Sequence, residues 1–290
     1  MLTRAPDAIS AATYRTGAAL LLFTSLTTKA QYYYKDIIGT AETNQLLKAY
    51  AANNVSAVSL KSYEGDGSAS ENFSVQQSRS VAQRVLKTIT TSGVTDETIL
   101  NAWYDENNRL LKTTDTTASI INTAVYTYDA EGKIISIKSY SGDTLKSVQA
   151  EEHQWFYTND GKPLQMLRIV NGKDTSVIKF KLDDDGNVSE ETLFKKGKGS
   201  DPVYYYYNDK NRLTDIVRYN YKLKKLLPDY MFEYSDAGQV IQKITVPSNK
   251  ASEYLIWRYQ YDNKGLKVKE ACFTKDKQLT GKIEYNYRFN

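Results

Sequence analysis

At 290 residues the chain has room for one large β domain or two smaller ones, with ample length for a sizeable core. Its net charge of +4 comes from both signs mixed along the sequence, which does not mark a nucleic-acid binder, and no known nucleic-acid motif is present. A lone Cys272 excludes an internal disulfide, and a lone His153 excludes His-based metal sites and catalytic triads.

In chain order, the first signal spans residues 1–30. Arg4 and Arg15 precede the apolar stretch Gly17–Leu26, and Thr28-Lys29-Ala30 offers small residues before Gln31. A basic region, a short apolar core and a small-residue site predict a secretory signal peptide. The core is too short to span a bilayer, so no membrane span is expected in the mature chain. No Cys follows it, so a lipoprotein is not expected. The mature protein is expected to begin near Gln31 and to be periplasmic or secreted in a Gram-negative-type bacterium.

Residues 31–100 have a different texture. Ile37–Tyr50 reads as a helix, with Thr40 or Thr43 as its N-cap and Leu46, Leu47 and Tyr50 as its apolar stripe. Val55–Tyr63 alternates like a strand, with Phe73–Gln77 as a hairpin partner beyond a Gly-rich turn. Ser78–Thr91 suits either helix or strand. The segment is expected to form a small mixed N-terminal cap on the repeat array that begins at residue 101.

From residue 101 to the C-terminus one motif recurs every 24 to 29 residues. Its anchors are Tyr104, Tyr128, Tyr157, Leu182, Tyr207, Tyr234 and Tyr261, and Tyr285-Asn286-Tyr287 is a closing half-copy. Two residues before most anchors sits another ring, and residues two apart on a strand share a face. After the anchor comes a residue able to bond its own backbone: Asp105, Asp129, Thr158, Asp183, Asn208, Ser235 or Asp262. Four positions after the anchor sits Gly132, Gly161, Gly186, Gly238 or Gly265, or else Asn108 or Asn211, residues that enter the left-handed region at least cost. Just beyond, the chain is apolar again at Leu110, Ile134, Leu164, Val188, Leu213 and Val240, while the seventh copy has Lys267 between Leu266 and Val268. Each copy therefore predicts a strand, a type I turn with a G1 bulge, and a second strand. Seven hairpins and a closing strand give about 15 antiparallel strands.

The pattern resembles the YD-repeat (RHS-like) proteins of the bacterial cell envelope over roughly residues 101–290. Tyr126-Thr127-Tyr128-Asp129-Ala130-Glu131-Gly132-Lys133-Ile134 and Tyr259-Gln260-Tyr261-Asp262-Asn263-Lys264-Gly265 carry the likeness, with Tyr205–Leu213 a further match. The resemblance implies a fold and a compartment and transfers no catalytic residue. The expected architecture is all-β: tandem β-hairpin repeats forming a long curved antiparallel sheet or barrel-like shell, in the order 1–30 signal peptide, 31–100 cap, 101–290 repeat domain.

Chemistry is sparse. His153, beside Glu151 and Glu152, reads as structural, with pH sensing the alternative. Asp183-Asp184-Asp185-Gly186-Asn187 occupies the turn slot of its repeat and lacks the distal Glu of a calcium loop, so it reads as a turn. No metal, cofactor or enzymatic activity is expected. Two functions remain. The first is a non-catalytic envelope scaffold whose partner is another envelope protein. The second is a module for glycan, peptidoglycan or cell-surface polysaccharide, with Trp103, Trp155, Trp257, Tyr206 and Tyr219 as candidate stacking rings.

Overall fold

A computed structural model describes residues 32–92, 97–117, 120–143, 146–247 and 252–290; the expected signal peptide and its cleavage site lie outside these. The chain opens with helix α1 (Lys35–Ala52), followed by β1 (Val55–Glu64), β2 (Ser74–Ser80) and β3 (Val85–Thr91). Hairpins then succeed one another: β4 (Thr98–Tyr104) with β5 (Leu110–Thr117), β6 (Ile120–Tyr128) with β7 (Ile134–Asp143), and β8 (Lys146–Tyr157) with β9 (Pro163–Val170). β10 (Asp174–Leu182) pairs with β11 (Val188–Lys195), and a two-residue β12 (Lys198–Gly199) leads to β13 (Val203–Tyr207) with β14 (Leu213–Asn220). β15 (Lys225–Tyr234) with β16 (Val240–Thr245), β17 (Leu255–Tyr261) with β18 (Lys267–Thr274), and β19 (Leu279–Phe289) complete the chain.

The sheet closes. Each strand pairs antiparallel with its sequence neighbour, and β1 pairs with both β2 and β19. β11 pairs directly with β13, so β12 is a side branch and 18 of the 19 strands form the ring. A closed barrel, not an open curved sheet, is therefore the architecture, and closure leaves no long unpaired edge. Of the 18 strands, 15 come from the seven predicted hairpins and the closing strand, and three are β1, β2 and β3. The segment expected as a cap thus supplies staves of the barrel, and the ambiguous Ser78–Thr91 contains strand β3.

The seven tight turns line one rim and share one geometry. In the first, the Asn108 amide donates to Asp105 O at 3.0 Å and the Asp105 amide to Arg109 O at 2.9 Å. The pair recurs at 129–133, 158–162, 183–187, 208–212, 235–239 and 262–266. The fourth position after each anchor has positive φ, from Asn211 at 54° to Gly132 at 86°, and the ladder register slips by one residue there. The turn-starting side chain accepts from the amide four residues on, at 2.7 Å for Asp129 and Lys133. In the third copy Pro163, not Leu164, takes the register position opposite Tyr157, and Leu164 points outward and is exposed.

Why the anchors are tyrosines follows from the hydroxyls. Tyr128, Tyr157, Tyr207, Tyr234, Tyr261 and Tyr287 each donate to a carbonyl one hairpin back, those of Leu110, Ile134, Val188, Leu213, Val240 and Lys267, at 2.6 to 2.9 Å. A phenylalanine would pack equally well but leave that carbonyl unbonded. These rings are half-buried, and their inward neighbours, among them Leu110, Tyr126, Ile134, Trp155, Phe180 and Tyr205, are buried and form the barrel core.

Helix α1 lies inside the ring. Its side chains touch the wall on several sides: Tyr50 Oη donates to Gln77 of β2 at 2.9 Å, Asn44 Oδ1 accepts the Leu110 amide of β5 at 2.8 Å, and Asp36 meets His153 of β8. The helix begins at Lys35, five residues before the expected Thr40 cap, and has no local side-chain cap. Instead Glu191 of β11 accepts the Tyr33 and Tyr34 amides at 2.7 and 2.8 Å, placing a carboxylate at the helix N-terminus from across the lumen. Thr43 is inside the helix, bonding Gly39 O at 2.9 Å.

Candidate functional site

The alternation that turns Trp155 and Tyr157 inward carries His153 and Glu151 to the same face. The lumen is where this barrel concentrates its chemistry, and α1 divides it into two unlike halves.

On one side the helix is bolted to the wall. Asp36 Oδ2 lies 2.6 Å from His153 Nδ1, and Glu151 Oε1 lies 2.8 Å from Nε2. Glu151 also receives Arg168, at 3.0 Å through Nε and by a shorter bond through Nη2. Burial alone would push the His153 imidazolium down, but the Asp36 charge and bonds to Asp36 and Glu151 outweigh it and raise its pKa to about 9. Burial pushes Glu151 up, but bonds from His153 and Arg168 win and hold it at about 2. Glu191 is buried, and burial raises its pKa against the bonds from the Tyr34 and Tyr33 amides and Tyr205 Oη. His153 is therefore a charged bracket within the structure.

On the other side the helix stands clear of the wall. Its buried face carries Asp36, Thr40, Thr43, Leu47 and Tyr50, while Ala41, Glu42, Gln45 and Lys48 are exposed although they ride on a helix enclosed by the ring. The charges of Lys243 on β16 and Lys267 on β18 act on Glu42 and favour its carboxylate. The Lys243 ammonium sits 5.1 Å from the Tyr230 ring centre and 6.0 Å from that of Phe232. Lys267 lies 4.6 Å from the Tyr259 centre and 5.7 Å from that of Tyr285, with Glu270 at 3.2 Å. Enclosure by the ring lowers the Lys243 pKa and raises that of Glu42, each opposed by the other's charge.

The five rings singled out from the sequence do not come together. Trp155 is buried, stacked on Phe180 with centres 5.2 Å apart, and Trp257 is half-buried on the inner face between Lys243 and Cys272. Trp103 faces outward under the Lys112 ammonium. Tyr219 and Tyr206 are exposed on the outer wall, Tyr219 edge-on to Tyr221 at 5.0 Å. Tyr206 borders a shallow depression of about 380 Å³ with Tyr204, Asp183, Asp185 and Glu190. Asp183 itself accepts the Asp185 and Asn187 amides at 3.1 and 2.8 Å, as a turn residue does. Cys272 is buried on the inner face, and burial raises its thiol pKa. Among the described residues no group of three His, Cys, Asp or Glu side chains is arranged to hold a metal.

Asp36, Glu42, Glu191, Lys243, Lys267 and Glu270 are the lumen residues that the sequence reading missed. The inward parity of each strand would have found the wall members, since each follows from counting by twos or through one bulge from an anchor ring.

No protein-family model matches the chain, and no curated protein matches it in sequence. Among solved structures it is similar to the Photorhabdus luminescens Tc holotoxin pore, at 13% identity and TM-score 0.34 over 74% of this chain and 12% of that one. A TcdB2–TccC3–Cdc42 complex gives 14% identity and TM-score 0.33, over 74% of this chain and 11% of that one. A porin-like protein from Bacteroides uniformis gives 13% identity and TM-score 0.38, over 81% of this chain and 97% of that one. The link to Tc toxin chains is loose, and this chain spans about an eighth of their length. The assignment of fold rests on the strand pairing.

Proposed function

We propose that this chain is an exported, non-catalytic scaffold of the cell envelope, a rigid barrel of YD-type hairpins that presents its outer wall to another envelope protein. The observation that carries this reading is the contrast between the two faces of the wall. The inside is crossed by the protein's own helix, bonded to β2, β5, β8 and β11. Outward strands carry paired charges, such as Lys138 with Glu152 at 3.6 Å and Lys181 with Glu190 at 2.8 Å. Lysines at such positions oppose a lipid-facing band. Among the described residues no helix is long and apolar enough to cross a membrane.

Across five consecutive strands, β5 to β9, the outer wall also exposes Leu111, Val125, Ile135, Phe156 and Leu164. A belt of this kind, bordered by charge, suits the centre of a protein interface. The seven equivalent turns support the YD-type reading, and the only imidazole is locked in a structural bracket, which supports a non-catalytic role.

Cell fractionation with mass measurement of the purified protein tests the compartment. An envelope protein beginning near Gln31 is expected, and an intact 290-residue chain in the cytosol would sink the reading. A photo-crosslinking residue at position 156 should capture one defined envelope protein, and the same residue at position 258, across the barrel, should not. Equal capture at both positions would remove the belt from the account.

A further inference from the structure

At the rim opposite the tight turns, three consecutive return loops are joined to one another. Residues 171–174 connect β9 to β10, residues 195–201 lead through β12 toward β13, and residues 219–226 turn from β14 into β15. Lys195 Nζ bonds Asp174 Oδ2 at 2.6 Å between the first two loops. Tyr221 Oη donates to Asp201 Oδ2 at 2.5 Å between the second and the third. Within the third loop the Leu223 amide donates to Asn220 Oδ1 at 3.0 Å.

Positive charge is concentrated there. The first loop carries Lys173, the second Lys195, Lys196 and Lys198, and the third Lys222, Lys224 and Lys225, all of them exposed. Against these seven lysines stand two carboxylates, Asp174 and Asp201, and the surplus of five exceeds the +4 of the entire chain. Just below the rim Arg218 and Asp229 bond each other and cancel. Among the described residues, only Lys195 of the seven has a carboxylate within ion-pair distance.

Apolar side chains sit among these lysines. Tyr221 is 66% exposed, Leu223 48% and Leu226 45%. A rim shaped for solubility alone gains nothing from them. A soluble polyanion would satisfy the lysines and leave the leucines in water. A bilayer containing anionic lipid answers both, because its phosphates meet the ammonium groups while the acyl boundary beneath accepts leucine and tyrosine sits at the interface.

We propose that this rim, from the β9–β10 loop to the β14–β15 loop, docks on an anionic bilayer surface. The lysines meet lipid phosphates, and Tyr221 and Leu223 enter the headgroup region. The barrel then stands on the membrane as a peripheral protein, its tight turns directed away and its outer wall open to a partner. Docking does not depend on that partner.

Flotation of the purified exported chain with phospholipid vesicles tests it. Binding is expected to phosphatidylcholine vesicles mixed with phosphatidylglycerol and not to phosphatidylcholine alone, and it should weaken as salt rises. The triple variant Lys222→Gln, Lys224→Gln, Lys225→Gln should bind about a hundredfold more weakly, on the order of fivefold for each charge at the surface. Leu223→Ser should weaken vesicle binding about tenfold and leave binding to heparin, a soluble polyanion, as in the parent. Lys210→Gln, on the opposite rim, should bind vesicles as the parent does. All of these side chains are exposed, so the variants keep the fold. No binding to the mixed vesicles in about 50 mM salt overturns the proposal. So does equal binding to both kinds of vesicle, or a triple variant that binds as the parent does. Vesicle binding that is unchanged in Leu223→Ser and fully displaced by heparin would make the rim a polyanion site and overturn bilayer docking as well.

Discussion

The Asp36 carboxylate of the lumen helix lies 2.6 Å from the His153 imidazole of the barrel wall, joining residues 117 positions apart. Both are buried, and Glu151 completes the bracket on the far side of the ring at 2.8 Å. Removing one member of a buried ion pair leaves its partner's charge uncompensated, at a cost of about 3–5 kcal/mol. His153→Ala is therefore expected to lower unfolding free energy by that order, and Asp36→Asn by less, because its amide still accepts and donates. Urea unfolding of the two variants and their double mutant checks this. A fully additive cycle would show that the two residues do not act together.

The same bracket sets a pH dependence. His153 has its folded pKa raised from 6.5 to about 9, so its contribution is complete below pH 6.5 and is lost as pH rises through about 9. The rise corresponds to roughly 3 kcal/mol at most. Glu151 has its folded pKa depressed from 4.5 to about 2, so its contribution is complete above pH 4.5 and is lost as pH falls through about 2. Glu191, raised by burial, contributes stability that is complete below pH 4.5 and is lost as pH rises above that value through its raised folded pKa. The contributions of His153 and Glu151 are therefore both complete between about pH 4.5 and 6.5, and Glu191 tilts the optimum toward the acidic end of that range. In His153→Gln the decline near pH 9 should flatten, and an unchanged decline in thermal melts would assign it to other groups.

The hydroxyl ladder is testable one rung at a time. Tyr157 Oη donates to Ile134 O at 2.6 Å, and Tyr157→Phe removes only that bond, for a cost of about 1 kcal/mol. Equivalent changes at Tyr128, Tyr207, Tyr234 and Tyr261 should cost similar amounts and add where the rungs do not touch. Chemical denaturation of the single and paired variants measures both claims. A change below about 0.3 kcal/mol at every rung would mean that water replaces the hydroxyl freely.

Much of this was legible from the repeat. The period fixed seven hairpins, their turn type and the inward rings, because each depends on residues close in sequence. Closure was not legible, since Val58 pairing with Tyr287 joins the two ends of the barrel and no local pattern encodes it. Nor was the place of the helix: its flanks carry Asp36, Glu42, Thr43 and Asn44 alongside Leu47, a mixture that makes sense only inside a lumen with polar walls. The Arg109, Lys133, Lys162 and Arg212 side chains passed unread as well, although each lies across the glycine of the neighbouring repeat's turn: Gly132, Gly161, Gly186 and Gly238 respectively.

That last arrangement carries its own prediction. Gly132 has φ of 86°, where an L side chain is strained, and a Cβ there would stand 3.0 Å from Arg109 Nη1 of the preceding turn. Gly132→Ala should therefore cost about 1–2 kcal/mol from the backbone alone. Arg109 has a flexible end that can withdraw, but doing so disturbs its position over the Tyr128 ring, 5.2 Å from the centre. Asn108 holds the same turn position with φ of 57°, so Asn108→Gly relieves what little strain exists and should change stability by no more than about 0.5 kcal/mol. Differential scanning calorimetry on both variants decides the matter. Equal melting temperatures for the two would show that the turn conformation is not what selects glycine at Gly132.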